Sequence, residues 1–442
     1  MAAGSTGVRA TSGGSVLVLL VAMVGAVALA APADAARSSV LHVAKRSSHC
    51  TDQGHGTRKH PFCSITAAAA VAGPGQTVRV RAGRYAEQVV PEESGRAGSP
   101  VTYRAAPGAR VVIHGQRNGF SLSGKSFVTI RGFVIRTTQG PGIKASSGTS
   151  VVVAGNDVAR AGQRAAGRTA KGILLRSVID AVVVGNTAHH NSNSGISVVG
   201  ASVGARLVGN TAHGNARGYV RAAAGIDLRN AVSSTVSGNR AYANEDSGIN
   251  IWAGSHLSTA VNNVVYLNGD HGIDVVQSDD ATVVANTVYR NVDSGIEVSG
   301  SHRAVITNNI TVDNGVDSPR TSGNIRADAT SAPTTVIDYN LHSSSADLID
   351  WAGQTYTVLA EFTSATGREA HGIQADPRFR DPAAADFRLT AASPAVDSAD
   401  SAAPGQPAVD FDALPRVNAP GVRDTGTGPR TYDDRGAFEF HP

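Results

Sequence analysis

Apolar and polar positions alternate along this chain in bursts of three or four residues, and the bursts return at a fixed interval. Between residues 142 and 315 the pattern restarts seven times on a Gly-Ile pair: Gly142-Ile143, Gly172-Ile173, Gly195-Ile196, Gly225-Ile226, Gly248-Ile249, Gly272-Ile273 and Gly295-Ile296. Successive starts lie 30, 23, 30, 23, 24 and 23 residues apart. An Asn recurs about fourteen residues after each start (Asn156, Asn186, Asn210, Asn239, Asn263, Asn286, Asn309). A second follows about five residues later (Asn191, Asn215, Asn244, Asn268, Asn291, Asn314). The apolar runs, such as Ala181–Val184, are rich in Val and Ile and bounded by Gly, Asn, Asp or Ser, which is the punctuation of strands and turns. No run sustains a helical period. Coils of about 23 residues, each with three short strands, bury a shared core only when stacked. The pattern therefore predicts an all-β chain folded as a right-handed parallel β-helix. A leucine-rich repeat of the same period needs a Leu skeleton, and here Val, Ile and Ala dominate. Asn suits the turns because it tolerates the left-handed conformation, and because stacked amides can hydrogen-bond from coil to coil.

The regular β-helix is expected over residues 116–340. Residues 37–115 read as an N-terminal cap and first coils, with a short helix from Ser64 to Ala72 covering the open end. Residues 341–442, with a second short helix from Thr357 to Thr366, read as a C-terminal cap wrapping the far end. Two repeats carry about seven extra residues each, Arg164 to Ala170 and Arg217 to Ala223. Insertions in a solenoid gather on one face, often the binding face. Arg164, Arg168, Arg217, Tyr219 and Arg221 would make that face a basic wall.

Residues 1–35 read as a signal peptide: Arg9, an apolar run from Val16 to Ala31, then Ala33-Asp34-Ala35 as a small-x-small cleavage site. A secreted, extracellular protein is expected, with no membrane contact after cleavage, and a monomer. The two cysteines, Cys50 and Cys63, then form a disulfide, worth roughly 3 kcal/mol by chain entropy. The net charge of +4 conceals a division. Residues 37–221 hold 24 Lys and Arg against 6 Asp and Glu, residues 222–300 hold 3 against 9, and residues 301–442 hold 11 against 19. A basic body beside an acidic patch suggests a polyanionic partner. Nucleic acid is not expected, since no recognition motif or aromatic interleaving accompanies the charge. An acidic polysaccharide or cell-wall polymer fits an exported protein better.

Candidate chemistry follows from strand alternation. In Gly-Ile-X the Ile faces inward and X outward. Down the stack X reads Lys144, Leu174, Ser197, Asp227, Asn250, Asp274 and Glu297, at about 4.8 Å per coil. Two residues further on, Arg176, Arg229 and Trp252 share the face. In the adjoining turn Asp246, Asp270 and Asp293 form a second acidic row. Like charges this close require compensation. A cation of the Ca²⁺ type on Asp246, Asn250, Asp270, Asp274 and Asp293 is one form of it; raised carboxylate pKa values are another. Asp227, Arg229, His271, Asp274 and Glu297 are the catalytic candidates. Trp252, Arg176, Tyr219 and Arg221 are the substrate-binding ones, Trp252 by stacking on a sugar ring.

The opening segment, GHGTRKHPFCSITAAAAVAGPGQTVRVRAGRYAEQV, resembles that of secreted bacterial β-helix proteins of the pectin-lyase-like superfamily. Asn262–Asn291 resembles mannuronan C5-epimerases, whose active-site His-Gly matches His271-Gly272; their Asp-Pro-His motif has no counterpart. Asn244–Trp252 (NEDSGINIW) resembles the calcium-binding coil of family 9 pectate lyases, with Asp246 and Asn250 at carboxylate positions and Trp252 matching. That family's catalytic Lys would fall near Asp274. The resemblance implies a carbohydrate-active fold and calcium-assisted β-elimination on a uronate polymer. Two alternatives stand beside it. One is a glycoside hydrolase using Asp274 and Glu297 at about 5 Å, or Asp227 and Asp274 at about 9.6 Å. The other is a non-catalytic wall-binding protein.

Overall fold

The computed structural model describes residues 39–162, 169–218 and 223–442. The expected signal peptide, most of both insertions, and Tyr219 and Arg221 lie outside them. Among the described residues, strands line up in three long sheets running the length of the solenoid. Sheet A has 12 strands, from Val40–Val43 to Val336–Asp338; sheet B has 12, from Gly83–Tyr85 to Ile373–Gln374; sheet C has 11, starting at Phe120–Ser123. Neighbours within each sheet are parallel and about one coil apart in sequence, except that Gln354–Tyr356 folds back antiparallel on Ile349–Trp351. The chain is a right-handed parallel β-helix. Coiling begins at Val40 itself, because Val40–Val43 already pairs with Thr77–Val80.

The inward positions behave as strand alternation requires. Ile143, Ile173, Ile196, Ile226, Ile249, Ile273 and Ile296 stack in one register and are fully buried. Each preceding glycine is required by close approach. A Cβ on Gly248 would lie 2.3 Å from Val265 Cγ1 and 2.9 Å from the Gly272 carbonyl oxygen. At the turns, two columns of buried asparagine amides run parallel to the axis. Asn239 Nδ2 donates to Asn263 Oδ1 at 3.0 Å, and Asn263 Nδ2 to Asn286 Oδ1 at 2.9 Å. The second column repeats this from Asn191 through Asn215, Asn244, Asn268, Asn291 and Asn314 to Asn324. The hydrogen-bonding reading of these residues holds, but the left-handed one moves by a residue. Positive φ falls on the position just before, on Gly155, Gly185, Gly209 and Gly238, then Asn262, Ala285, Asn308 and Tyr339. The ladder residue itself must aim its amide along the axis, so the residue before it makes the corner.

The caps depart from expectation in detail. The first helix is shorter, Ile65–Ala69, with the Ser64 hydroxyl accepting from the Ala67 N–H, and it buries Ile65, Ala68 and Ala69 over the opening coils. The second, Leu359–Thr366, ends on Gly367 in the left-handed conformation. Its Phe362 meets Trp351 edge-on and closes the core at the far end. The remaining tail does not continue over that end. It doubles back along the flank, where Phe387, Leu389, Val396 and Phe438 cover Val264, Tyr266, Tyr289, Ile310 and Leu341. Outward aromatic and aliphatic side chains on these coils supply the apolar strip that draws it there. The Cys50–Cys63 disulfide is formed. Among the described residues no helix is long and apolar enough to cross a membrane.

Polar locks hold the tail. Buried Arg416 donates to Glu439 at 2.9 Å and to Asn262 Oδ1 of the solenoid at 3.2 Å. Burial, and then the Arg416 charge acting against it, leave the Glu439 carboxyl at about 7, above its ordinary 4.5. The folded state thus holds a proton that the unfolded chain has released between pH 4.5 and 7, so stability falls as pH rises through this window. Asp434 beside it is raised too, by burial and then by the Glu439 charge, and titrates with it, so Glu439→Gln should reduce that slope: its thermal midpoint gains on wild type as the pH is raised from 5 to 8, and parallel pH profiles would refute the assignment.

Candidate functional site

The outward face of sheet C gathers the residues singled out by sequence. Lys144, Leu174, Ser197, Asp227, Asn250, Asp274 and Glu297 are successive register partners, and the column continues to Arg326 and Asp350. Beside it, Arg176, Val199, Arg229, Trp252 and Val276 form the second column. The strip is buried rather than solvated, and it is the candidate groove: Asp227 is 4% exposed, Asn250 3% and Glu297 6%.

One end of the groove neutralises itself. Arg320, on the segment after the coil of Asp313, reaches back to bind both Asp270 and Asp293, and Ser318 donates to Asp293. Arg326 donates to Glu297 at 2.5 Å and to Asp350 at 3.0 Å. His271 Nε2 lies 2.7 Å from Glu297 and 3.3 Å from Asp270. Burial opposes a charged ring there. The Glu297 bond and the charges of Asp274, Glu297 and Asp270 outweigh it and lift His271 to about 9. The same imidazolium, against burial, holds Glu297 below its ordinary value. Asp270 is raised to about 6 by burial and by its hydrogen bond with Asp246. Asp274, also raised by burial and by Glu297 and Asp270 against the pull of His271, stands at about 7.

The middle of the groove is different. Asp227 Oδ1, Ser247 Oγ, Asn250 Oδ1 and Asp274 Oδ1 are buried oxygens with no hydrogen-bond partner. Three of them belong to register neighbours on adjacent coils. Unpaired buried acceptors cost about 1–3 kcal/mol each, more when charged, and a run of carboxylate and amide oxygens on adjacent coils is of the donor type that suits a hard divalent cation. Of the five residues expected to hold Ca²⁺, Asn250 and Asp274 belong to this set and Asp227 joins them. Asp270 and Asp293 already share a guanidinium where a cation would sit. Asp246 is committed to Asp270. Two further groupings, Asp270–His271–Asp293 and His271–Asp274–Glu297, each bring ligand atoms within 4.8 Å, but arginine and imidazolium already fill them with positive charge.

At the other end stands a residue the sequence reading passed over. Lys171 occupies the place before Gly172 that His271 occupies before Gly272. Its Nζ donates to Asn193 Oδ1 at 2.8 Å. Burial lowers its pKa, the Asp227 charge works against that, and Arg229 and Arg176 add to the lowering. Lys171 is one of five lysines in the chain, and its place directly after a basic insertion masks it in the sequence. Arg320 and Arg326 were also missed: they lie beyond the last regular Gly-Ile pair, and only the fold brings them back. Arg229 stacks its guanidinium 4.1 Å above the Trp252 ring, so one face of that indole is taken. Arg176 is exposed beside Val199.

The right-handed parallel β-helix is the architecture that defines this chain's class. The family model for the Pel9A-like right-handed β-helix region matches residues 42–282, more than half of the chain, and the chain belongs to that family. Among solved structures it is similar to pectate lyase Pel9A, with a TM-score of 0.51 and 16% identity over 91% of this chain and 96% of that one. It is also similar to XylC, solved in complex with xylose, with a TM-score of 0.56 and 14% identity over 74% and 79% of the two chains. At these identities the likeness is one of fold. A protein of Bacillus subtilis (strain 168), the uncharacterized protein YwoF, is 38% identical over 66 residues, 15% of this chain and 14% of that protein.

Proposed function

We propose that this chain is a secreted polysaccharide-processing enzyme that cleaves a uronate-containing polymer by β-elimination in the groove of sheet C. The observation that carries the reading is the run of unpartnered buried oxygens on Asp227, Asn250 and Asp274, with Lys171 at its edge. The family, and the pectate lyase named among the similar structures, support it. Asp227, Asn250 and Asp274 would hold Ca²⁺, which when bound draws electron density from the substrate carboxylate and acidifies the neighbouring C–H. Lys171 is the group we assign to take that proton: it stands at the edge of the run, and burial, against the Asp227 charge, lowers its pKa. Arg229 cannot serve as the base, since guanidinium does not lose its proton in proteins. His271 cannot either, since Glu297 keeps it an imidazolium at neutral pH. It supplies fixed positive charge for substrate oxygens instead. Loss of the proton and departure of the glycosidic oxygen leave a double bond in the uronate ring.

A second reading has one observation of its own. Asp274, raised to about 7, faces Glu297, which stays ionised, one coil away at about 4.8 Å. An acid and an ionised carboxylate at that gap suit a retaining glycoside hydrolase. One assay separates the readings: incubate the mature protein with polygalacturonate, alginate and xylan, with calcium or with chelator. Unsaturated-uronate absorbance abolished by chelator is the expected result. New reducing ends without that absorbance would replace the lyase by the hydrolase. Retention with no product from any polymer would leave a binding protein.

A further inference from the structure

The outer face of sheet A, on another side of the solenoid from the groove, carries a column of its own. His42, Arg79, Arg104 and Arg131 are successive register partners on the first coils. Val78, Val80, Tyr103 and Ile130 between them point into the core, so the arginines point out, one per coil at about 4.8 Å. Arg58 and Arg81 flank the column. His42, Arg58, Arg79 and Arg81 line a cleft of about 360 Å³ with Ala106 and Pro107 as its wall. The same wall continues into a second cleft, of about 440 Å³, lined by Arg104 and Arg131.

What the column lacks is an acid. Some outward arginines find carboxylates, as Arg136 does with Asp157, Arg303 with Asp280 and Arg326 with Glu297 and Asp350; others, such as Arg206 and Arg240, do not, but neither of these has another arginine beside it in the register. Among the described residues Arg58, Arg79, Arg81, Arg104 and Arg131 have no ion pair and no side-chain hydrogen bond, and Arg79 Nε is buried without a partner. Like charges opposite one another on paired strands are destabilising. Burial, then Arg79, Arg81 and Arg58, also lower the pKa of His42, which is the response of a titratable group to an uncompensated positive field. Five guanidiniums on consecutive coils, with no ion pair among the described residues, present a concentrated positive face to an external anion.

We propose that this face is a second, non-catalytic binding site for a linear carboxylate-bearing polysaccharide, whose successive carboxylates pair with Arg79, Arg104 and Arg131. Guanidinium takes carboxylate in a two-point pairing that ammonium does not match, and past His42 the column is arginine on each of three successive coils. The clefts contain no aromatic ring other than His42 for a nucleobase to stack on, which separates the face from a single-stranded nucleic-acid platform. The choice of a uronate polymer rests on the function proposed above; the attraction for an anion does not.

The test uses the full mature chain and the double variant Arg104→Gln/Arg131→Gln, two side chains outside the groove, with circular-dichroism melts to establish folding. Affinity for long polygalacturonate and for alginate is measured by co-sedimentation, with dextran as the neutral control and single-stranded DNA as the rival polyanion. Expected is a loss of at least tenfold in affinity for the acidic polysaccharides, removed by salt, with turnover of short oligomers unchanged. Equal affinity of wild type and variant would overturn the site. So would arginine-dependent binding confined to DNA. Should no polymer be cleaved while the arginine-dependent retention persists, the lyase reading fails and the docking face stands. Single Arg131→Glu, at an exposed position, provides the check if the double variant does not fold.

Discussion

Replacing Asn263 by leucine should lower the stability of the solenoid by about 3–5 kcal/mol, a large share of the roughly 5–15 kcal/mol that holds a folded domain. The side chain is fully buried and serves three neighbours at once. Its Oδ1 accepts from the Asn239 main-chain N–H at 2.9 Å and from Asn239 Nδ2 at 3.0 Å. Its Nδ2 donates to the Val236 carbonyl and to Asn286 Oδ1, each at 2.9 Å. Leucine has nearly the same size but no polar atom. The Asn239 N–H is then left buried without an acceptor, the other bonds are lost, and a branched alkyl group is forced between two stacked amides. Urea unfolding followed by circular dichroism measures the effect, with Asn418→Leu, an exposed position in the tail, as the control. A midpoint no lower than the control's would mean that the amide column does not carry the coils.

That column is also why so much of the fold was legible in the sequence. A solenoid repeats its contacts, so the residues that make them must repeat too: Ile after Gly for the core, Asn where one coil bonds to the next. Register is legible for the same reason: the Gly-Ile repeat by itself aligns Asp227, Asn250, Asp274 and Glu297, as the strand pairing does. What repetition does not carry was not legible. Arg320 and Arg326 follow the irregular stretch after Asn314, where no period says which coil they revisit. Strand alternation tells inside from outside, but it does not tell an open face from a groove, so the burial of Asp227 and Glu297 was invisible. The tail was read as an end cap because its pattern decays. Its destination is set by Tyr266, Tyr289 and Ile310 on coils far upstream.

Lys171→Met should reduce kcat on the cleaved polymer by about 10²–10⁴-fold, the usual contribution of a positioned proton acceptor, while polymer retention by the arginine column stays at the wild-type level. Methionine keeps the unbranched stem and removes only the amine, and a half-buried lysine loses little folding energy when its charge goes. The thermal midpoint should therefore hold or rise slightly. Lys171→Arg decides between two roles. If the amine accepts a proton, arginine keeps the positive charge beside Asp227 but cannot be deprotonated, and the variant is as inactive as methionine. If the residue instead only balances Asp227 or holds Asn193, arginine restores most of the rate. Full activity in Lys171→Met would remove the lysine from the reaction. Weight would then shift to the Asp274–Glu297 pair, whose unequal affinities for a proton are the other chemically prepared feature of this groove.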